Sequence, residues 1–209
     1  FAELVGKVAS LLRQEGVRPG DRVAAQAPKT PETLELYFGC AQAGAVFPPL
    51  NTAYTLEEVR FFVGDATPSL VICEPGRQGD IAATLAGHGG RTLAIAPDRK
   101  GSFADAIAAA TPSAEVEPRD IGDLSALLYT SGTTGRSKGA MLTQQNILSN
   151  TQALLELWRF TADDVLVHML PIFHTHGLFV ATNVMLAAGG SMIFHPAFDL
   201  DALLADLPR

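Results

Sequence analysis

The sequence predicts an α/β protein in which mostly parallel, layered sheets are flanked by helices. Two observations carry this. Segments with apolar residues at helical spacing alternate with short apolar runs of strand length, the rhythm of a parallel sheet covered on both faces. An apolar share of 47% over 209 residues supplies enough buried surface for such layers.

The elements follow in order. Leu4, Val5, Val8, Leu11 and Leu12 recur at helical spacing, and Gly16 with Pro19-Gly20 ends that helix. A strand is expected over Arg22–Gln26. Then come a helix over 32–43, a strand over 46–50, a helix over 55–65, a strand over 69–74, a helix over 79–87, a strand over 92–96 and a helix over 102–110. Thr55-Leu56-Glu57-Glu58 has the form of a capping box, with Asn51 and Tyr54 shaping the turn before it. The stretch from Thr111 to Asp123 is rich in Pro, Glu and Asp and reads as a surface connection. It separates a first α/β subdomain, 1–115, from the start of a second, 116–209. The second opens with a strand from Leu124 to Tyr129, followed by a Gly/Ser/Thr loop and a strand over 140–143. A helix is then expected over 144–158, a strand over 165–170, a helix over 177–187, a strand over 191–195 and a helix from Asp199. Trp158 and the Leu154–Leu157 run are expected in the core, as are His168 and His195 on their apolar strands or at the rim. No repeat of 20 to 50 residues interrupts this order.

Composition narrows the partners. A formal charge of −7 with 15 Lys and Arg offers no basic footprint for nucleic acid. No apolar run reaches the roughly 18 residues of a membrane helix, so no membrane insertion is expected. Cys40 and Cys73 lie in apolar stretches without metal-ligand spacing and read as buried thiols of a reducing, cytoplasmic compartment. The chain opens on Phe1, already within an amphipathic helix, and stops after LDALLADLP with no closing strand. It therefore reads as an N-terminal piece of a longer protein.

The chemistry-bearing segment is Thr130-Ser131-Gly132-Thr133-Thr134-Gly135-Arg136-Ser137-Lys138-Gly139. Its glycines allow backbone N–H groups to face an anion, and its hydroxyls add donors or a magnesium ligand. Lys138 adds a point charge. Arg136 is equally compatible with a phosphate contact and with a solvated loop. The spacing departs from the P-loop pattern GxxxxGK[ST], because Lys138 lies between Ser137 and Gly139 and a strand follows.

The stretch YTSGTTGRSKGAMLT resembles the phosphate-binding signature of the adenylate-forming superfamily, and LPIFHTHGLF at Leu170–Phe179 resembles the segment lining its acyl pocket. Three longer stretches, PPLNTAYTLEEVRFFVGDA, WRFTADDVLVHMLPIFHTHGLFVATNV and GSMIFHPAFD, are similar to the malonyl-CoA synthetases. The resemblance implies an acid–CoA ligase that activates a carboxylic acid, malonate in the narrower reading, with ATP and Mg2+ and then transfers it to coenzyme A. It further implies that Thr130, Ser131, Gly132, Thr133, Thr134, Gly135 and Lys138 bind ATP, with Thr130 also the magnesium ligand. Lys138 and Thr134 would carry the catalytic contacts, and Phe173, His174 and His176 would meet the acid. Groups expected beyond Arg209 include the rest of the magnesium site, the ribose aspartate, the catalytic lysine of a small C-terminal domain and an arginine for the far carboxylate of malonate. The 209 residues by themselves are accordingly expected to be inactive. Alternatives are a ligase for another short or medium-chain acid and a non-catalytic module that retains the fold.

Overall fold

Helix α1 (Ala2–Gln14) turns Val5, Val8, Ala9, Leu11 and Leu12 inward against α2 (Pro31–Gln42), as its apolar spacing requires. The two helices approach closely because Gly39 of α2 has no side chain: a Cβ there would stand 2.8 Å from that of Val8. These elements belong to a computed structural model that describes residues 1–130 and 137–207. The chain divides into two compact units, Phe1–Thr143 and Gln144–Arg209.

In the first unit β1 (Val23–Gln26), β2 (Leu70–Cys73) and β3 (Arg91–Ala94) pair in parallel in that order, with Ala24 opposite Val71 and Val71 opposite Thr92. Between them run α2, α3 (Leu56–Ala66) and α4 (Gln78–Leu85), and α5 (Ser102–Ala109) follows β3. The capping box at α3 is present. The Glu58 backbone N–H donates to Thr55 Oγ1, and Glu58 Oε2 accepts from the Thr55 N–H at 2.7 Å. Asn51 Oδ1 accepts from the Ala53 N–H at 2.9 Å, the turn expected of it.

The expected strand over 46–50 is realised only as isolated parallel bridges, Arg22 to Val46, Ala25 to Pro49 and Phe47 to Ala126. Pro48 and Pro49 have no N–H to donate, so a regular ladder cannot form there. The segment still links β1 to β4 (Leu124–Thr130): the Ala25 N–H donates to the Pro48 carbonyl, and the Phe47 N–H to the Ser125 carbonyl. The connection over 111–123 forms no helix or strand. It is strapped down by Gln42, whose Nε2 donates to the carbonyls of Ser113 at 2.7 Å and Glu115 at 3.0 Å.

β4 and β5 (Lys138–Thr143) are antiparallel, with a register irregularity between Leu124 and Ala126. The βα rhythm therefore breaks at the signature, where one strand folds straight back on the other. By packing, 116–143 belongs with the first unit. The core of that unit gathers Ala24, Leu50, Val59, Phe62, Val71 and Ile81, and Tyr54 and Tyr129 pack against it. Both cysteines are buried and free, and burial pushes the Cys73 thiol up to about 11.

The second unit begins with α6 (Gln144–Trp158). Parallel strands β6 (Val165–His168) and β7 (Ser191–Phe194) follow, and α8 (Leu200–Asp206) comes last. Between β6 and β7 the expected helix over 177–187 is split: His176–Thr182 is π-helical and α7 (Asn183–Ala188) is α-helical. One further expectation is corrected and another holds. Leu157 is 72% exposed and Trp158 48%, because α7 and the π-helical turn pack on only one side of α6. As expected of histidines on apolar strands, His195 lies at the rim, its Nε2 2.6 Å from Asp206 Oδ2, and His168 is buried in the core.

Candidate nucleotide and acid sites

In the first unit the structure sets the two described ends of the signature opposite each other. Thr130 is the last residue of β4, Lys138 the first of β5, and the two are register partners. Thr130 Oγ1 donates to the Lys138 carbonyl at 3.4 Å, and both side chains are exposed. Ser131, Gly132, Thr133, Thr134, Gly135 and Arg136 lie outside the described residues. Lys138, expected in a loop, instead starts a strand, so its backbone is held by pairing while its ammonium reaches solvent.

The stem of this hairpin is anchored one residue before Thr130. The Tyr129 ring packs on Phe62 with centroids 4.4 Å apart, and its hydroxyl donates to Asp65 Oδ2 at 2.7 Å. Burial first, and then the Asp65 bond, hold the phenol well above its ordinary range, so it remains a donor. Nothing in the local sequence marks Asp65 as its partner, which lies 64 residues away.

Clefts among the described residues indent the first unit. One of about 320 Å³ touches Arg22, Asp65, Leu127 and Gly139, and one of about 460 Å³ touches Glu32, Glu35, Asp98 and Arg99. Neither takes in Thr130 or Lys138. Among the described residues no group of three or more His, Cys, Asp or Glu side chains could hold a metal. Thr130 offers a single neutral oxygen, which suits one position of a magnesium ion whose other ligands are phosphate oxygens and water.

The second unit brings the three acid-pocket candidates together on one turn. Phe173 is half-buried and its ring packs at a tilt against His174 with centroids 4.6 Å apart. His174 and His176 are exposed. The His174 N–H donates to the Pro171 carbonyl at 3.4 Å, and the Leu178 N–H donates to the His174 carbonyl at 3.0 Å. Gly177 is required here, because an added Cβ would stand 2.8 Å from the Pro171 carbonyl carbon and closer still to its oxygen. The π-helical turn starts at this contact, a feature that often accompanies functional sites. Beneath it lie His168 and Thr182, buried residues that the motif alone does not pick out.

Among the described residues no helix is long and apolar enough to cross a membrane. The chain is similar to ATP-bound MatB from Rhodopseudomonas palustris, with 51% identity and a TM-score of 0.97 over all of this chain and 41% of that one. It is 38% identical over 212 residues to a feruloyl-CoA synthase of Amycolatopsis sp, covering 98% of this chain and 40% of the relative. It is 29% identical over 191 residues to a malonate–CoA ligase of Arabidopsis thaliana, covering 90% of this chain and 31% of the relative. The chain thus spans about 40% of the length of the feruloyl-CoA synthase and of MatB. With residues 1–209 matching from end to end, the chain belongs to the family described as AMP-binding enzyme.

Proposed function

We propose that the protein carrying this chain is an ATP-dependent acid–CoA ligase and that its acid is malonate. The observation that carries the ligase reading is the family match over the whole chain, together with a signature whose ends are paired as a hairpin. A carboxylate oxygen of the acid attacks the α-phosphorus of ATP, and the bond to the departing pyrophosphate breaks. The sulfur of coenzyme A then attacks the acyl carbon of the adenylate, losing its proton as AMP leaves.

In this reading Lys138, on a backbone held by strand pairing, places positive charge where the polyphosphate accumulates negative charge. Ser131, Gly132, Thr133, Thr134 and Gly135 supply the remaining phosphate donors, with Thr134 and Lys138 the contacts most directly engaged in the reaction. Magnesium, when bound with ATP, neutralises phosphate charge, and Thr130 supplies one oxygen to it. His174 orients the acid through a hydrogen bond, with His176 beside it, and Phe173 forms an apolar wall.

Malonate rests on the similarity of Pro48–Ala66, Trp158–Val184 and Gly190–Asp199 to malonyl-CoA synthetases, and a malonate–CoA ligase among the relatives supports it. The higher identity to feruloyl-CoA synthase favours a second reading, a ligase for a different acid. The test is AMP release by the full-length protein with ATP, coenzyme A and each of malonate, methylmalonate, acetate, butyrate and ferulate. Malonate is expected to give the highest kcat/KM. Preference for a monocarboxylate overturns the malonate assignment, and no AMP with any acid overturns the ligase reading.

A further inference from the structure

Below the turn that presents His174 and Phe173 lies a closed polar triangle. His168 is 1% exposed and Thr182 is 0% exposed, in surroundings where an unpaired polar atom is costly. His168 Nε2 is 2.9 Å from the Gly177 carbonyl oxygen and 3.1 Å from Thr182 Oγ1. Thr182 Oγ1 donates its proton to the same carbonyl at 2.8 Å. A carbonyl only accepts, so His168 Nε2 carries a hydrogen, shared between Gly177 O and the Thr182 hydroxyl oxygen.

This carbonyl belongs to the residue whose Cα is pressed against Pro171, at the start of the π-helical turn. His168 is itself fixed as the last residue of β6. It is paired with Phe194 on β7, and their rings are 5.1 Å apart. The triangle therefore ties 171–177 to the sheet through a buried, directional contact, while the side chains it presents face outward.

We propose that His168, assisted by Thr182, is a positioning residue for the acid-binding turn: its Nε2–H fixes the Gly177 carbonyl and through it the placement of His174 and Phe173. The inference rests on the reading that this turn meets the acid. His168 touches no substrate. Its effect is transmitted by the backbone, so it acts on the acid and leaves ATP binding alone.

The experiment uses the full-length enzyme, with KM measured separately for malonate and ATP in H168F, H168Q, T182V and H174A. Phe keeps the ring volume and removes the donor, whereas Gln returns an N–H near the place of Nε2. H168F is expected to raise the KM for malonate on the order of tenfold, because it removes one of the two donors that hold the buried Gly177 carbonyl. The KM for ATP should be unchanged, H168Q should recover to within about threefold of the parent, and T182V should shift malonate KM in the same direction as H168F. If H168F does not fold, T182V and H168Q decide. A parent-like malonate KM in T182V, or H168Q impaired for ATP and malonate alike, overturns the inference. Normal malonate KM in H168F beside an impaired H174A also overturns it. A parent-like H174A instead removes the acid-pocket reading beneath it.

Discussion

Replacing Gly177 by alanine tests whether the geometry of the turn proposed to meet the acid matters to activity. The added methyl would meet the Pro171 carbonyl carbon at 2.8 Å and its oxygen at shorter range, and it would approach the Leu170 carbonyl carbon at 3.3 Å. All three atoms are backbone, so no side chain can swing aside. Pro171 cannot retreat freely, because its carbonyl accepts from the His174 N–H. Gly177 cannot either, because its own carbonyl is held by His168 and Thr182. Relief requires a shift of about 1 Å in the turn, a displacement that at a reacting centre costs on the order of 10²-fold in rate. Overpacking of this kind adds about 1–3 kcal/mol of destabilisation. The expected result for Gly177→Ala in the full-length enzyme is a kcat/KM for malonate lowered about 10²-fold, with a reduced melting temperature. Near-parent activity and melting temperature together would refute the claim that contact with Pro171 sets the turn.

Other outcomes follow from the same geometry. Lys138→Ala removes an exposed cation and should lower adenylation on the order of 10²-fold. Its thermal transition should stay within about 0.5 kcal/mol of the parent, as for most surface substitutions. Tyr129→Phe deletes the bond to Asp65 and should cost about 1 kcal/mol, read by denaturant midpoint, and it should raise the KM for ATP more than that for the acid. For Glu35, burial and then the charge of Glu32 hold the folded-state pKa above the ordinary glutamate value, partly offset by Arg99. The folded chain thus binds more protons than the unfolded one, and this contribution to stability declines as pH rises through the raised pKa. Glu35→Gln should therefore raise the melting temperature at pH 7, and the gain should vanish below the ordinary glutamate range near pH 4. A pH-independent gain would exclude the electrostatic cause. The 209-residue chain alone, spanning about 40% of its relatives, should give no exchange of labelled pyrophosphate with ATP and malonate; robust exchange would show that the essential groups are already present.

Most elements were legible because local signals agree with the final packing. The capping box at Thr55 and the alternating apolar segments up to Ala109 leave little freedom, and the strands and helices fall within a few residues of expectation. The exceptions have identifiable causes. Over 46–50 the apolar character reads as a strand, but Pro48 and Pro49 have no N–H to donate to a ladder. On α6 the apolar residues predict a buried face without saying what covers it, and in this chain Leu157 and Trp158 face outward. The π-helical stretch had no local signature, since it arises from a contact between Gly177 and Pro171, both already counted as motif residues.

The candidate sites divide along the same line. Thr130, Lys138, Phe173, His174 and His176 announce themselves because exposed chemistry must be encoded as residue type at fixed spacing. Their supports do not, because a tyrosine on a strand or a histidine in an apolar run has an ordinary packing role available. Tyr129 finds Asp65 across 64 residues, and His168 finds Thr182 across 14, so neither pair forms a local pattern. Yet in each unit a polar contact lies just beside the motif: half-buried Tyr129 directly precedes Thr130, and buried His168 precedes Pro171 by three positions. An exposed side chain that must hold one geometry needs a neighbour that cannot move, and a packed side chain with a hydrogen-bonded polar end supplies that fixity. The residues flanking a motif on its strand side are accordingly where positioning groups should be sought, even when their types look like ordinary core.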